Sequence, residues 1–387
     1  MPALDLSAVP ILDNHCHSLL RGGAGTAAEY ARFFTESGNA EMRARHASQT
    51  IFFRWAVKEL AGYFGCAPTA EAVVEARTAA PAEALAVRML GDAGIAGLVL
   101  DHGYQSAETF TVAELRARLP CPVAPILRLE TLAQELIMRH AAFDDVVDAF
   151  DEAVAGARAA GYVALKSIIA YRTGLAVRET ARAEAASAFA GVKEQARREG
   201  RLRLACKPLN DHLLLRALDL AAREALPVQI HTGFGDEDVD LLGANPLHLR
   251  PVLASARYTQ VPFVLLHAGY PYVRELSYLA AIHANVHMDL GLAVPYLAAD
   301  IPSLFRQALS LAPTSKLLFS TDAYSIPEIF WLAARWGRWG LGVALAELVA
   351  LGALATDEAL AIAGDVLGAN AARLYRLPPP ETRGARR

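Results

Sequence analysis

Residues 11–20 read ILDNHCHSLL. Two apolar residues open the run, and His15 and His17 follow at alternate positions. Alternate residues of a strand share a face, so the two imidazoles point the same way. The stretch Val9–Asn14 therefore reads as a strand that delivers both histidines at its C-terminal end. Seven more short apolar runs follow: Ile95–Asp101, Pro122–Arg128, Val163–Ala170, Pro227–His231, Pro262–His267, Asn285–Leu290 and Leu317–Thr321. Longer amphipathic segments separate them, which is the pattern of a parallel sheet with crossover helices. Eight such strands predict an α/β fold, a (β/α)8 TIM-like barrel with a helical insertion after strand 1. A doubly wound sheet is the competing architecture.

The other strand ends carry the chemistry. His231 closes LPVQIHTGFGD, His267 closes FVLLHAGYP, and Asp322 follows LLFST. The C-terminal ends of barrel strands build the active-site mouth. One histidine in such a place reads equally well as a hydrogen-bonded core residue. Four histidines and an aspartate, on strands one, five, six and eight, read as a divalent-metal site, and imidazole donors suit Zn, Mn, Fe or Ni. Arg128, Arg172, His102 and Tyr324 are candidate substrate-binding residues on the rim, each with a rim ion pair or hydrogen bond as its plainer role. Two arginines at one mouth favour a carboxylate-bearing substrate. Cys16 faces away from the histidines and reads as a small core residue.

Composition bounds the rest. The chain has 387 residues, 54% of them hydrophobic and 20% charged, with a net charge of -4. That excludes a disordered chain and lacks the basic footprint of a nucleic-acid binder. Four scattered cysteines, with no CxxC pair, exclude a disulfide framework or a zinc knuckle. No signal peptide is legible, and the apolar stretch Leu341–Ala355 is too short for a membrane span. The expectation is a cytoplasmic enzyme with a small-molecule substrate and neither nucleic-acid nor membrane partners. One barrel is expected over residues 1–377, with the helical insertion at about 24–90 and a disordered tail at 378–387. The insertion is rich in aromatics (Phe33, Phe34, Phe52, Phe53, Trp55, Tyr63, Phe64) and reads as a lid, as a homo-oligomer interface, or as rim packing. Residues 23–29, GAGTAAE, lack the lysine of a phosphate-binding loop.

Taken together the motifs resemble the amidohydrolase superfamily: HxH on strand one, His on five and six, Asp on eight. The detail is similar to the amidohydrolase-2 branch, and within it to the amidohydrolase domain of FluG- and nodulin-type proteins. VPILDNHCHSLLR, ALKSIIAYRTGL, LPVQIHTGFGD, LLGANPLHLRPVL, FVLLHAGYPYVRELSYLA and LLFSTDAYSIPE carry the likeness, from residue 9 to about 376. Those fusions continue into a glutamine synthetase; this sequence ends at Arg387, and none of that activity is expected.

The resemblance implies that His15, His17 and Asp322 hold a divalent metal, with one or two ions per chain and zinc foremost. His231 is implied as a further ligand. His267 is implied as a ligand to a second ion or as an acid beside the substrate carbonyl. Lys166 sits where binuclear members carry a carboxylated lysine that bridges two ions. It also reads as a cationic substrate contact or a structural ion pair. The implied activity is metal-dependent hydrolysis of a C–N, amide-type bond in a small carboxylate-bearing substrate, by metal-activated water with Asp322 as base. The alternatives are a metal-dependent non-oxidative decarboxylase of an aromatic or oxo acid, and a non-catalytic barrel scaffold.

Overall fold

The computed structural model describes residues 3–103 and 106–380. The tail expected to be disordered therefore lies mostly outside the described residues. Eight strands are present: β1 Ile11–Cys16, β2 Ile95–Asp101, β3 Val123–Arg128, β4 Ala164–Ser167, β5 Val228–Ile230, β6 Phe263–Leu265, β7 Val286–Asp289 and β8 Leu317–Leu318. They follow one another in sequence order in the sheet, the order of a (β/α)8 barrel. Among the described residues no helix is long and apolar enough to cross a membrane.

By internal contacts the chain forms two compact units. The first takes Met1–Val123, Gly235–Glu237 and Asp289–Arg387; the second takes Ala124–Phe234 and Asp238–Met288.

In the first unit β1 pairs in parallel with β2, with Ile11 opposite Ile95 and Cys16 opposite Leu100. The residues after β8 run alongside β1: Asn14 N–H donates to Phe319 O at 3.1 Å, Asp322 N–H to His15 O at 3.0 Å, and His17 N–H to Ala323 O at 2.8 Å. The helices between β1 and β2 include Ile51–Phe64, Ala70–Thr78 and Ala82–Asp92. Thr50 and Thr69 cap the first two by accepting backbone N–H bonds. The aromatic residues of this stretch pack inward. Phe34 meets Tyr30, Phe52 and Phe53 with ring centroids 5.1–5.2 Å apart. Trp55 stacks at 4.4 Å on Trp336 of the helix Pro327–Ala350, and Tyr63 meets Trp331 of the same helix at 5.0 Å.

In the second unit β3 to β7 pair in parallel, and Arg128 stands opposite Lys166, Lys166 opposite Gln229, and Ile230 opposite Leu265. β5 and β6 are buried at every position, so no exposed polar residue alternates with their apolar ones. A helix spans Arg182–Glu199.

Most strands are shorter than expected, and β1 and β4 differ for legible local reasons. β1 begins after Pro10, which has no N–H to give a ladder, and it continues through Cys16, so His15 lies inside the strand. β4 stops at Ser167. There the Glu130 carboxylate accepts the Ser167 hydroxyl at 2.7 Å and the Ile168 N–H at 3.0 Å. A 3-10 turn, Ile169–Tyr171, follows instead of more strand.

Candidate metal centre

The ladder between β1 and residues 319–325 sets the register of the three donors in the first unit. His15 Nε2 and His17 Nε2 each lie 3.3 Å from Asp322 Oδ1. Asp322 holds φ at +48°, a left-handed conformation that costs energy for a residue with a side chain. Its N–H bond to His15 O is part of what holds it there. His17 Nδ1 lies 3.1 Å from the carbonyl of Asp101, so that nitrogen donates and Nε2 is left as the donor towards a metal. The Asp101 carboxylate also stands close, with one donor atom from each of His15, His17 and Asp101 within 4.8 Å of one another. Two imidazoles and a carboxylate converging at this spacing fit a divalent first-row ion.

Below the donors lies a second layer. Asp13 is fully buried and accepts the Thr321 N–H at 2.9 Å and the Thr321 hydroxyl. Burial outweighs these bonds and pushes Asp13 up to about 8. Asn14 donates to Asp289 at 3.1 Å and accepts from the Tyr375 hydroxyl. Cys16 is buried against the Val99 carbonyl, and burial raises its thiol. It is core, as its alternation on β1 predicts.

In the second unit His231 and His267 follow β5 and β6, with ring centroids 4.4 Å apart. The Tyr171 ring lies 4.3 Å from that of His231. Burial, then the Lys166 charge, holds His231 well below the ordinary imidazole range, so it stands as a neutral donor. His267 takes φ of +65°. The tight turn after β5 brings backbone against backbone: a Cβ on Gly233, at φ +72°, would meet the Gly269 carbonyl carbon at 2.4 Å. Lys166 is buried on β4. Arg172 is half-buried beyond it, and burial plus the charges of Arg203 and Arg128 lower its affinity for a proton.

The candidates thus divide. His15, His17 and Asp322 are brought together in the first unit, and Lys166, His231, His267, Arg128 and Arg172 belong to the second. His102 follows Asp101 and is half-buried. Tyr324 is half-buried and shares a hydrogen bond with Tyr296, a residue no motif points to. Burial and the Glu36 charge push Tyr324 well up. Glu36 was equally silent in sequence. It lies in the stretch after β1, and the Tyr296 hydroxyl donates to it at 2.7 Å.

Residues 101–377 match the model of the amidohydrolase family, Amidohydro_2. The protein FluG of Emericella nidulans is 32% identical over 413 residues, covering 95% of this chain and 46% of FluG. The chain thus spans about half the length of that curated relative. A solved structure from Lactobacillus casei, described as a metal-dependent hydrolase, superposes with a TM-score of 0.86 at 29% identity, over 97% of this chain and 98% of that one. A uronate isomerase from Thermotoga maritima shares the fold, with a TM-score of 0.68 at 15% identity over 95% and 94% of the two chains.

Proposed function

The chain belongs to the amidohydrolase family and is an enzyme of the metal-dependent hydrolase type, and from this we propose that it hydrolyses the C–N bond of a small, carboxylate-bearing amide. The convergence of His15 Nε2 and His17 Nε2 on Asp322 Oδ1, each at 3.3 Å, carries the proposal. His15, His17 and Asp322 would hold the principal ion, which we take to be zinc. His231, His267 and Lys166 are the further ligands in this proposal, Lys166 as a carbamate if two ions bind. A bound divalent ion supplies Lewis acidity to the substrate carbonyl and makes water nucleophilic near neutral pH.

The protein's own groups do the rest. Asp322 accepts the proton from the attacking water and passes it to the leaving nitrogen. His267 donates a hydrogen bond to the carbonyl oxygen as it gains charge. Arg172 and Arg128 receive the substrate carboxylate, and fork geometry suits them to it. His102 and Tyr324 line the rim.

Elemental analysis of protein purified without chelator, paired with an amide panel, tests this. One or two divalent ions per chain, and amide hydrolysis that chelation abolishes and zinc restores, are expected. Full amide hydrolysis by metal-free protein would overturn the proposal, as would CO2 release from carboxylic acids with no amide cleaved.

A further inference from the structure

All four tryptophans of the chain line one cavity of about 530 Å³ in the first unit. Trp55 comes from the helix Ile51–Phe64, and Trp331, Trp336 and Trp339 from the helix Pro327–Ala350. Trp55 stacks on Trp336 at 4.4 Å and meets Trp339 edge to face at 5.4 Å, and Trp339 is exposed. Leu4 completes part of the wall, its N–H seated on Gly342 O at 3.1 Å. The cavity belongs to the N-terminal ends of β1 and β2. Arg338 of its wall holds the carbonyl of Val9, six residues before His15 and so roughly 20 Å from it along an extended chain.

Two donors of this wall lack a full set of partners. The Trp336 indole N–H is buried and has no acceptor among the described residues. The Arg338 guanidinium is buried as well, and among the described residues only backbone carbonyls meet it. Val9 O accepts from Nε at 2.9 Å and from Nη2 at 2.8 Å, Gly94 O from Nη2 at 3.4 Å, and Ala93 O from Nη1 at 2.7 Å. A guanidinium carries five N–H groups, so one on Nη1 is left over. Ala93 also lines the cavity, which sets Nη1 beside the wall. Burial with no counter-charge lowers Arg338 to about 10. A buried cation without an anion and a buried N–H without an acceptor both cost free energy that an anion in the cavity would offset. The acids of the wall are already engaged. Glu59 accepts from Arg335 Nε at 2.5 Å, Asp92 from the Tyr63 hydroxyl at 2.8 Å, and Asp5 from the Ser7 N–H at 2.9 Å. A cationic ligand would have to break these bonds.

We infer that this cavity is a second binding site, apart from the metal centre, and that it takes a flat aromatic carboxylate. The volume is that of a small-molecule site. The ring lies against the indoles, where stacking adds to the burial of area. The carboxylate meets the Arg338 and Trp336 donors. A wholly apolar ligand is the poorer occupant, since it would leave both donors unmet. The inference does not depend on which bond the metal centre cuts.

Calorimetry and tryptophan emission on the metal-loaded full chain test it. The probe is 2-naphthoate, with 2-naphthylmethanol as its neutral match and decahydro-2-naphthoate as its saturated one. Every indole of the chain lines the cavity, so the emission reports probe bound there. 2-Naphthoate is expected to change the emission, and to bind about tenfold or more tighter than either match. Chelation should leave that binding as it is. Trp339→Ala, at the exposed indole, should weaken it about tenfold. Arg338→Met should bring the preference for the carboxylate over the alcohol down to about twofold or less. If that variant does not fold, Trp339→Ala and the matched probes decide. The inference is overturned if 2-naphthoate leaves the emission unchanged, if either match binds as tightly, or if W339A or folded R338M binds like wild type. Loss of binding on chelation would place the probe at the metal centre and overturn it too. So would sedimentation showing a dimer that W339A splits into monomers, because a second copy would then cover the cavity.

Discussion

The two units share one construction, parallel strands with functional groups at their C-terminal ends, yet their charges are opposite. The first gathers carboxylates: Asp322, Asp101, Glu36, Asp236 and the buried Asp13. The second gathers cations: Arg128, Lys166, Arg172 and Arg203, around two histidines. The consequences run in opposite directions. Burial above all, with neighbouring carboxylates adding to it, pushes Glu36 up to about 7 and Asp13 up to about 8. In the second unit burial, and then the Lys166 charge, keeps His231 neutral. A carboxylate-rich region attracts a metal ion and then shares its protons. A cation-rich region holds anions and keeps its imidazoles available as lone-pair donors. Histidine identity alone does not say which part each one plays; burial and the charge around it bear on it.

The largest expected effect removes the base from the first unit. Asp322→Asn should lower kcat by about 10²–10⁴-fold, the span of general acid–base catalysis. Turnover within threefold of wild type would remove Asp322 from that role. Next comes metal retention. His15→Ala with His17→Ala should leave less than about a tenth of the wild-type metal, because the ligands hold the ion. His231→Ala, which removes one further ligand, should lose less of it. Equal loss in both variants, by elemental analysis, would break the division of labour between the units.

Much of this was legible in sequence because its physics is local. Strand alternation alone put His15 and His17 on one face and Cys16 on the other, and apolar runs bounded by Gly or Pro located β2 and β3 within a residue. What sequence could not reveal depended on distant partners. The end of β4 is set by Glu130, 37 residues before Ser167. Glu36 and Tyr296 meet across 260 residues, and neither sits in a motif. The left-handed backbone at Asp322 and His267 is likewise invisible, since neither residue type announces it. The aromatic stretch after β1 read as lid, interface or packing with equal ease, and only the partner helix Pro327–Ala350 showed where its rings go.

A smaller effect belongs to the second unit. Arg172→Ala should raise KM for a carboxylate-bearing amide by roughly 10–100-fold, the worth of a hydrogen bond to a charged group. Arg172→Lys should recover little of it, since an ammonium cannot fork onto a carboxylate. Amides without a carboxylate should be unaffected. If they suffer equally, the cations of the second unit serve structure and not recognition.

The smallest effect concerns stability, and it isolates the proton-holding character of the first unit. Asp13 ionises at about 8 in the folded chain against 3.8 for the free side chain. Between those values the folded state holds a proton that the unfolded state has lost. Its contribution is therefore complete below about pH 4 and fades as pH rises towards 8, by at most ~1.4 kcal/mol per pH unit. Asp13→Asn cannot titrate, so urea midpoints of the chelator-treated protein from pH 5 to 8 should fall more steeply for wild type than for this variant. Parallel curves would mean that Asp13 is ionised throughout, and that the Thr321 bonds outweigh burial. Adding the metal should move the wild-type window downward, because a nearby cation favours the carboxylate. A window that metal leaves in place would put the ion away from β1, and with it the carboxylate-rich unit's claim to hold it.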